Sequence, residues 1–184
     1  GSGNEPALEN WLRQHGKALY TPQGELAFDT ADAAEWFTLW AELRDKQACV
    51  TAEQQAVSTG TIDTSMLVTG RAASGFTGVN ELIAYQALVK DRLAVTNMPL
   101  AMAGGKGGQY RKPTMMWTLA GTSKVKDEAV KLINFFVRDL EAASLLGLER
   151  GIPSSAASRE HITAGLSDLE RQTLDFFANL GELL

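Results

Sequence analysis

Apolar residues recur at three- and four-residue steps in four stretches of this chain, and each stretch predicts a helix with one apolar face. The first carries Leu8, Trp11 and Leu12, with Pro6 in its first turn and Gly16 at its end. The second carries Ala33, Trp36, Phe37, Trp40 and Leu43 behind an Asp29-Thr30 cap, ending near Lys46. The third starts near Lys124 and sets Val125, Ala129, Leu132, Ile133, Phe136, Val137 and Leu140 on one face. The fourth follows Ser167-Asp168-Leu169-Glu170, whose serine and glutamate fit a capping box, and carries Leu169, Thr173, Phe176, Phe177 and Leu180. Shorter patterns predict a short helix through Met66, Leu67 and Val68, capped by Asp63-Thr64 and closed by Gly70, and a helix through Val79, Leu82, Ile83 and Leu88. A short helix over 141–148 is broken at Gly151-Ile152-Pro153.

Between these lie apolar runs of strand length. Residues 17–21 and 25–28 flank Pro22-Gln23-Gly24 and predict a β-hairpin. The small-residue run 71–76, the run 92–98 that stops at Pro99, and the run centred on Met115-Met116-Trp117-Thr118-Leu119 predict short strands. Residues 47–60 read as a loop with at most one helical turn. Short strands alternating with helices predict an α/β fold, a short mixed sheet flanked by helices.

A length of 184 residues, 45% apolar and 21% charged, suits one soluble globular domain. The net charge of -5 is spread without a basic block, which argues against nucleic acid or an anionic membrane as partner. No apolar run approaches the roughly 20 residues of a transmembrane helix. Gly1-Ser2-Gly3 reads as an expression remnant, leaving residues 4–184 as a single α/β lobe. One cysteine, Cys49, excludes an internal disulfide and a thiolate-rich metal cluster, and His15 and His161 lack metal-ligand spacing. No metal site and no cofactor are expected. The loop Gly104-Gly105-Lys106-Gly107-Gly108 suggests a phosphate cradle, but no Gly-Lys-Ser/Thr follows, and Pro113 opposes the helix such a motif needs. No Ser/His/Asp grouping is legible, so no catalytic residue is assigned and the chain is not expected to be an enzyme.

The residues suited to a ligand are of another kind. Trp117 is a large indole at the end of a run just before the turn into a helix, where open α/β sheets present residues to a crevice. Thr77 and Asn80 open a helix where free N–H groups and side chains can meet hydroxyls; Thr77 as a simple N-cap and Phe76 as a core residue are the alternatives. Tyr110 can flank a ligand from the glycine loop.

Two segments resemble a known family. Thr69-Gly70-Arg71-Ala72-Ala73, and Met116-Trp117-Thr118-Leu119 followed by Ser123-Lys124 and Glu128-Ala129, are similar to the sugar-binding lobe of family 1 extracellular solute-binding proteins of ABC importers. Met98-Pro99 with the glycine loop, and Arg150-Gly151-Ile152-Pro153, look like that family's ligand-side loops. Met115 and Met116 stand where the family usually has two glycines, and Ser74 where a methionine is usual. The resemblance covers roughly 19–153 and implies one lobe of a periplasmic-binding-protein-like, type II two-lobe fold, its N-terminal lobe and late C-terminal helices absent. It implies a non-catalytic carbohydrate receptor holding a mono- or oligosaccharide in the cleft between lobes. It also implies ABC permease subunits as partners and a periplasmic or extracellular location, a membrane-associated lipoprotein included.

A pyranose offers C–H patches on its faces and hydroxyls at its rim, so its site needs an aromatic plate and convergent polar groups. Trp117 is the expected plate, with Phe76 as a second wall, Thr77 and Asn80 as polar contacts, Tyr110 at the rim, and Arg150 as a further contact implied by the resemblance. Arg150 as a solvated helix-end arginine is its alternative. The rival function is a protein-interaction or lobe-docking domain, with Trp117 and the methionines forming an adaptable apolar patch.

Overall fold

The computed structural model describes residues 4–113 and 115–180. The expected expression remnant and Thr114, within the Trp117 run, lie outside the described residues. The chain divides into two compact units, Gly1–Tyr110 with Ala178–Leu184, and Arg111–Phe177.

The first unit begins with α1 (Glu5–Gln14), capped by Asn4, whose side chain accepts from the Ala7 amide at 2.9 Å. α2 (Thr30–Asp45) is capped by Asp29, and Asp32 returns a bond to the Asp29 amide, so two of the N–H groups that a helix start leaves unpaired are satisfied. Trp36 and Trp40, one turn apart on α2, are buried with Ala7 of α1, and Leu8, Trp11, Leu43 and Cys49 pack around them. Trp11, Trp36 and Trp40 form a chain of tilted and edge-on rings with centroids 5.8 and 5.6 Å apart. Phe37, expected on the same stripe, is exposed. α3 (Ala52–Ala56) is a single short helix with a Thr51–Gln54 capping box, within the stretch expected to be loop. A 3-10 turn at Val79–Glu81 leads into α4 (Leu82–Leu88).

The second unit holds α5 (Lys126–Arg138), α6 (Leu140–Leu146), α7 (Ala156–Thr163) and most of α8 (Asp168–Asn179). Asp139 divides α5 from α6: its backbone is extended, and its carboxylate caps α6 through the amides of Glu141 and Ala142. α6 packs against α7 and α5, burying Ala142, Ala143 and Ile162. The Ser167–Glu170 capping box is formed, with Ser167 N to Glu170 Oε2 at 2.8 Å. α7, which the apolar pattern did not predict, is capped by Ser155. α5 has a strong apolar face yet buries no residue; Val125, Val130, Leu132 and Phe135 are exposed.

The expected α/β lobe with a short mixed sheet is not what forms. Among the described residues the strand pairing is one isolated antiparallel bridge, Tyr20 with Leu26, and the fold is helices joined by turns and irregular segments. The hairpin is present only as that bridge, closed by Thr21 N to Glu25 O at 2.8 Å and turning at Gly24 with φ +85°. The physical reason lies in where the amides go. Arg71 and Ala72 both donate to the Met66 carbonyl, and the Leu93 amide donates to the Gln86 side chain, so these groups are spent locally. The run through Met115–Leu119 is irregular and largely exposed, with no ladder partner among the described residues. An apolar run of strand length becomes a strand only where a neighbour completes its hydrogen bonds.

Candidate functional site

Of the six residues expected to meet a ligand, Phe76, Thr77, Asn80 and Tyr110 belong to the first unit, and Trp117 and Arg150 to the second. Each group is set by its own local chemistry.

Trp117 stacks on Phe136 of α5, with ring centroids 4.5 Å apart and planes 4° from parallel. Phe135, beside it on the helix, meets Phe136 edge-on at 5.6 Å. Phe136 is available to the indole because the apolar face of α5 is only partly covered, with Ile133, Phe136 and Val137 half-buried. The stack fixes one face of Trp117 while 51% of the residue stays accessible, so the ring is held as a plate rather than buried as core. Arg150 is exposed in the turn after α6, between Gly147 at φ +51° and Gly151 at φ +91°.

In the first unit, Phe76 packs edge-on against Trp40, centroids 6.2 Å apart and planes 88° from parallel, which ties the 76–80 loop to the tryptophan core. Thr77 is exposed and is not the cap: Gly78 takes that position, with no side-chain bond to the turn. The Asn80 amide folds back on Gly78, where a Cβ would lie 2.7 Å from Asn80 Oδ1. Trp40 Nε1 is buried without a hydrogen-bond partner among the described residues. Phe76, Thr77 and Asn80 thus share one loop, and no ring contact or hydrogen bond joins Tyr110 to it among the described residues.

Tyr110 is placed by α1. Arg13 lies over its ring at 4.7 Å and pairs with Glu9 one turn earlier at 2.9 Å. Burial of the phenol first, and then the neighbouring Glu9 carboxylate, raise its pKa far above the usual phenol range.

Sequence reasoning passed over the residues that hold the glycine loop. Asn10 Nδ2 donates to the Gly107 carbonyl at 2.9 Å, and Gln14 Nε2 donates to Pro99 O at 2.9 Å and to Asn10 Oδ1 at 2.8 Å. Gln14 Oε1 in turn accepts from the Ala101 amide. Gly108, at φ +64°, sits so close to α1 that a Cβ would stand 2.5 Å from Asn10 O and 2.6 Å from Gln14 Cγ. The available signal was two amide side chains four residues apart on one face of α1. The glycine loop is therefore clamped, and Gly108 serves close backbone approach to α1.

Ser144 of α6 and His161 of α7 also meet, Oγ to Nε2 at 3.0 Å. Ser144 Oγ also lies 3.0 Å from the Leu140 carbonyl, so the Ser144–His161 contact links α6 to α7. Among the described residues no cluster of three or more His, Cys, Asp or Glu side chains could hold a metal, and no helix is long and apolar enough to cross a membrane.

The fold is similar to the solved extracellular solute-binding protein family 1 from Alicyclobacillus acidocaldarius subsp. acidocaldarius DSM 446, with a TM-score of 0.74 and 28% identity. The match covers 96% of this chain and 45% of that one, so the chain spans less than half the length of the relative. The sequence pattern describing the bacterial extracellular solute-binding proteins matches residues 3–165, a span that takes in the clamped glycine loop, Trp117 and the α5–α6 pair. With most of its length carrying that pattern, the chain belongs to the bacterial extracellular solute-binding proteins.

Proposed function

We propose that this chain is the carbohydrate-binding lobe of a non-catalytic solute-binding protein that captures a mono- or oligosaccharide outside the cytoplasm for an ABC importer. The observation that carries the reading is Trp117: an accessible indole whose plane is set by a parallel stack on Phe136. A flat ring held ready offers a sugar its C–H contacts without ordering cost at binding. Arg150 is the proposed polar contact on the same unit, and Phe76, Thr77, Asn80 and Tyr110 are the ligand-facing candidates on the other. The other lobe of the receptor and the permease subunits are the proposed partners.

The test is ligand-observed NMR with tryptophan fluorescence against a panel of mono- and disaccharides, comparing the wild type with Trp117→Ala. Weak, saturable binding that disappears in the variant supports the reading. Binding that survives the substitution, or no binding of any sugar, overturns the assignment of the plate.

A second reading is favoured by the exposed apolar groups Met115, Met116, Val125 and Leu132, which suit a docking surface without independent ligand binding. Sedimentation at rising protein concentration, alone and with a separately produced N-terminal lobe of a family member, separates self-association from lobe docking.

A further inference from the structure

The first unit contains a cleft of about 720 Å³ that the sugar reading does not use. Its two walls are turns, each locked by hydrogen bonds that leave the lining side chains uncommitted. On one side the Met66 carbonyl accepts from the amides of Arg71 at 2.8 Å and Ala72 at 3.0 Å, while Gly70 reverses the chain at φ +70°. On the other, the Gln86 side chain builds the turn after α4: Nε2 donates to the Val89 and Asp91 carbonyls, both at 3.0 Å, and Oε1 accepts from the Leu93 amide at 2.8 Å.

The charges carried by these walls are unbalanced. Arg71, Lys90 and Arg92 line the cleft against one carboxylate, Asp91, in a chain whose net charge is -5. None of the three cations makes an ion pair or a side-chain hydrogen bond among the described residues. Three like charges around one concavity repel one another and raise the local concentration of anions. Leu88, Val89 and Leu93 add apolar surface to the same lining, which a bare inorganic ion would leave uncovered.

We propose that this cleft is a binding site for a small organic anion, its carboxylate or phosphate held by Arg71 and Arg92 with Lys90 beside them, and its hydrocarbon portion covering Leu88, Val89 and Leu93. Guanidinium groups suit this role because their planar fork pairs with two oxygens of a carboxylate or phosphate. The cleft volume falls within the range of small-molecule sites. The site does not depend on Trp117 or on the carbohydrate reading.

The experiment is an amide chemical-shift titration of the whole chain with hexyl phosphate and with hexanoate, using inorganic phosphate and 1-hexanol as controls. Shifts confined to 67–73 and 88–93, with at least one organic anion bound roughly tenfold tighter than either control and weakened by added salt, are expected. Which of the two anions binds tighter identifies the head group. The double variant Arg71→Gln/Arg92→Gln, at exposed positions, is expected to weaken binding about tenfold or more, whereas Asp91→Asn, which removes the opposing charge, is expected to tighten it. Equal binding of hexanol would reduce the site to an apolar patch, and equal binding of inorganic phosphate would reduce it to diffuse charge. Either result, absence of shifts at these amides, or an unaffected double variant overturns the proposal.

Discussion

Trp117 and Phe136 lie almost parallel, 4° apart at a centroid distance of 4.5 Å, and the indole is oriented by this contact rather than by burial. Removing the supporting ring should therefore act on the plate without touching a ligand. Phe136→Ala is expected to weaken sugar binding by about two- to tenfold, the equivalent of an aromatic pair worth about 0.5–1.5 kcal/mol. Trp117→Ala should abolish binding, while Phe135→Ala, one position away and outside the stack, should change it less. Titration by ligand-observed NMR reads all three; equal losses for Phe135 and Phe136 would refute the role of the stack.

Gly108 is held against α1 both by its positive φ and by lack of room for a Cβ. Gly108→Ala is expected to destabilise the protein by about 2 kcal/mol or more, because neither the Asn10 carbonyl nor the backbone can give way cheaply. Gly121→Ala meets nothing within 4 Å and has no such dihedral, so it serves as the neutral control. Urea unfolding of both variants measures the difference.

The Asp32 carboxylate is bonded to the Lys17 ammonium and to the Asp29 amide, and these partners hold its pKa below the usual value of 3.8, while the bond to Asp32 raises that of Lys17 above 10.5. A depressed carboxylate pKa contributes stability above its unfolded value that is lost as pH falls through the folded one. The protein should lose stability on acidification below about pH 4, and Asp32→Asn should be less stable at neutral pH with a flatter acid limb. Thermal melts across pH 2 to 7, read to about half a pH unit, test this.

Tyr110 titrates in the opposite direction. Burial and the Glu9 charge keep the phenol protonated in the fold, so its contribution is complete below the ordinary value of 10.0 and is lost as pH rises beyond it. Tyr110→Phe should leave stability at neutral pH nearly unchanged and slow its decline above about pH 10. Alkaline melts of the two proteins side by side decide the point, and parallel declines would rule out Tyr110 as the cause.

Most of the helices were legible in the sequence because they carry their own evidence, whereas α7, without a marked apolar stripe, was not. Asp29 and Ser167 mark starts, and the spacing of Trp36 and Trp40 marks a buried face, all within one turn of the chain. The strands were not legible as such, since an apolar run such as Met115–Leu119 reads the same whether or not a partner exists to pair with it. The apolar face of α5 was read correctly as a pattern, but pattern alone does not say that anything covers it. At the candidate site, the accessible indole of Trp117 could be singled out from its position before a helix, whereas its stacking on Phe136 could not. The role of Asn10 and Gln14 lay beyond local reading, because a polar pair on a helix is ordinary until the loop that it holds is known.

That clamp also bears on how the first unit forms. Its bonds join residues 85 to 97 positions apart, so closing it fixes a loop of most of the unit at once. Contacts so distant in sequence are costly to reach before the intervening chain has collapsed. During synthesis α1 emerges about a hundred residues ahead of the glycine loop and cannot engage Gly107 until that loop has followed, so closure of the clamp falls late, and a pause in translation before residue 108 would leave Asn10 and Gln14 waiting in water.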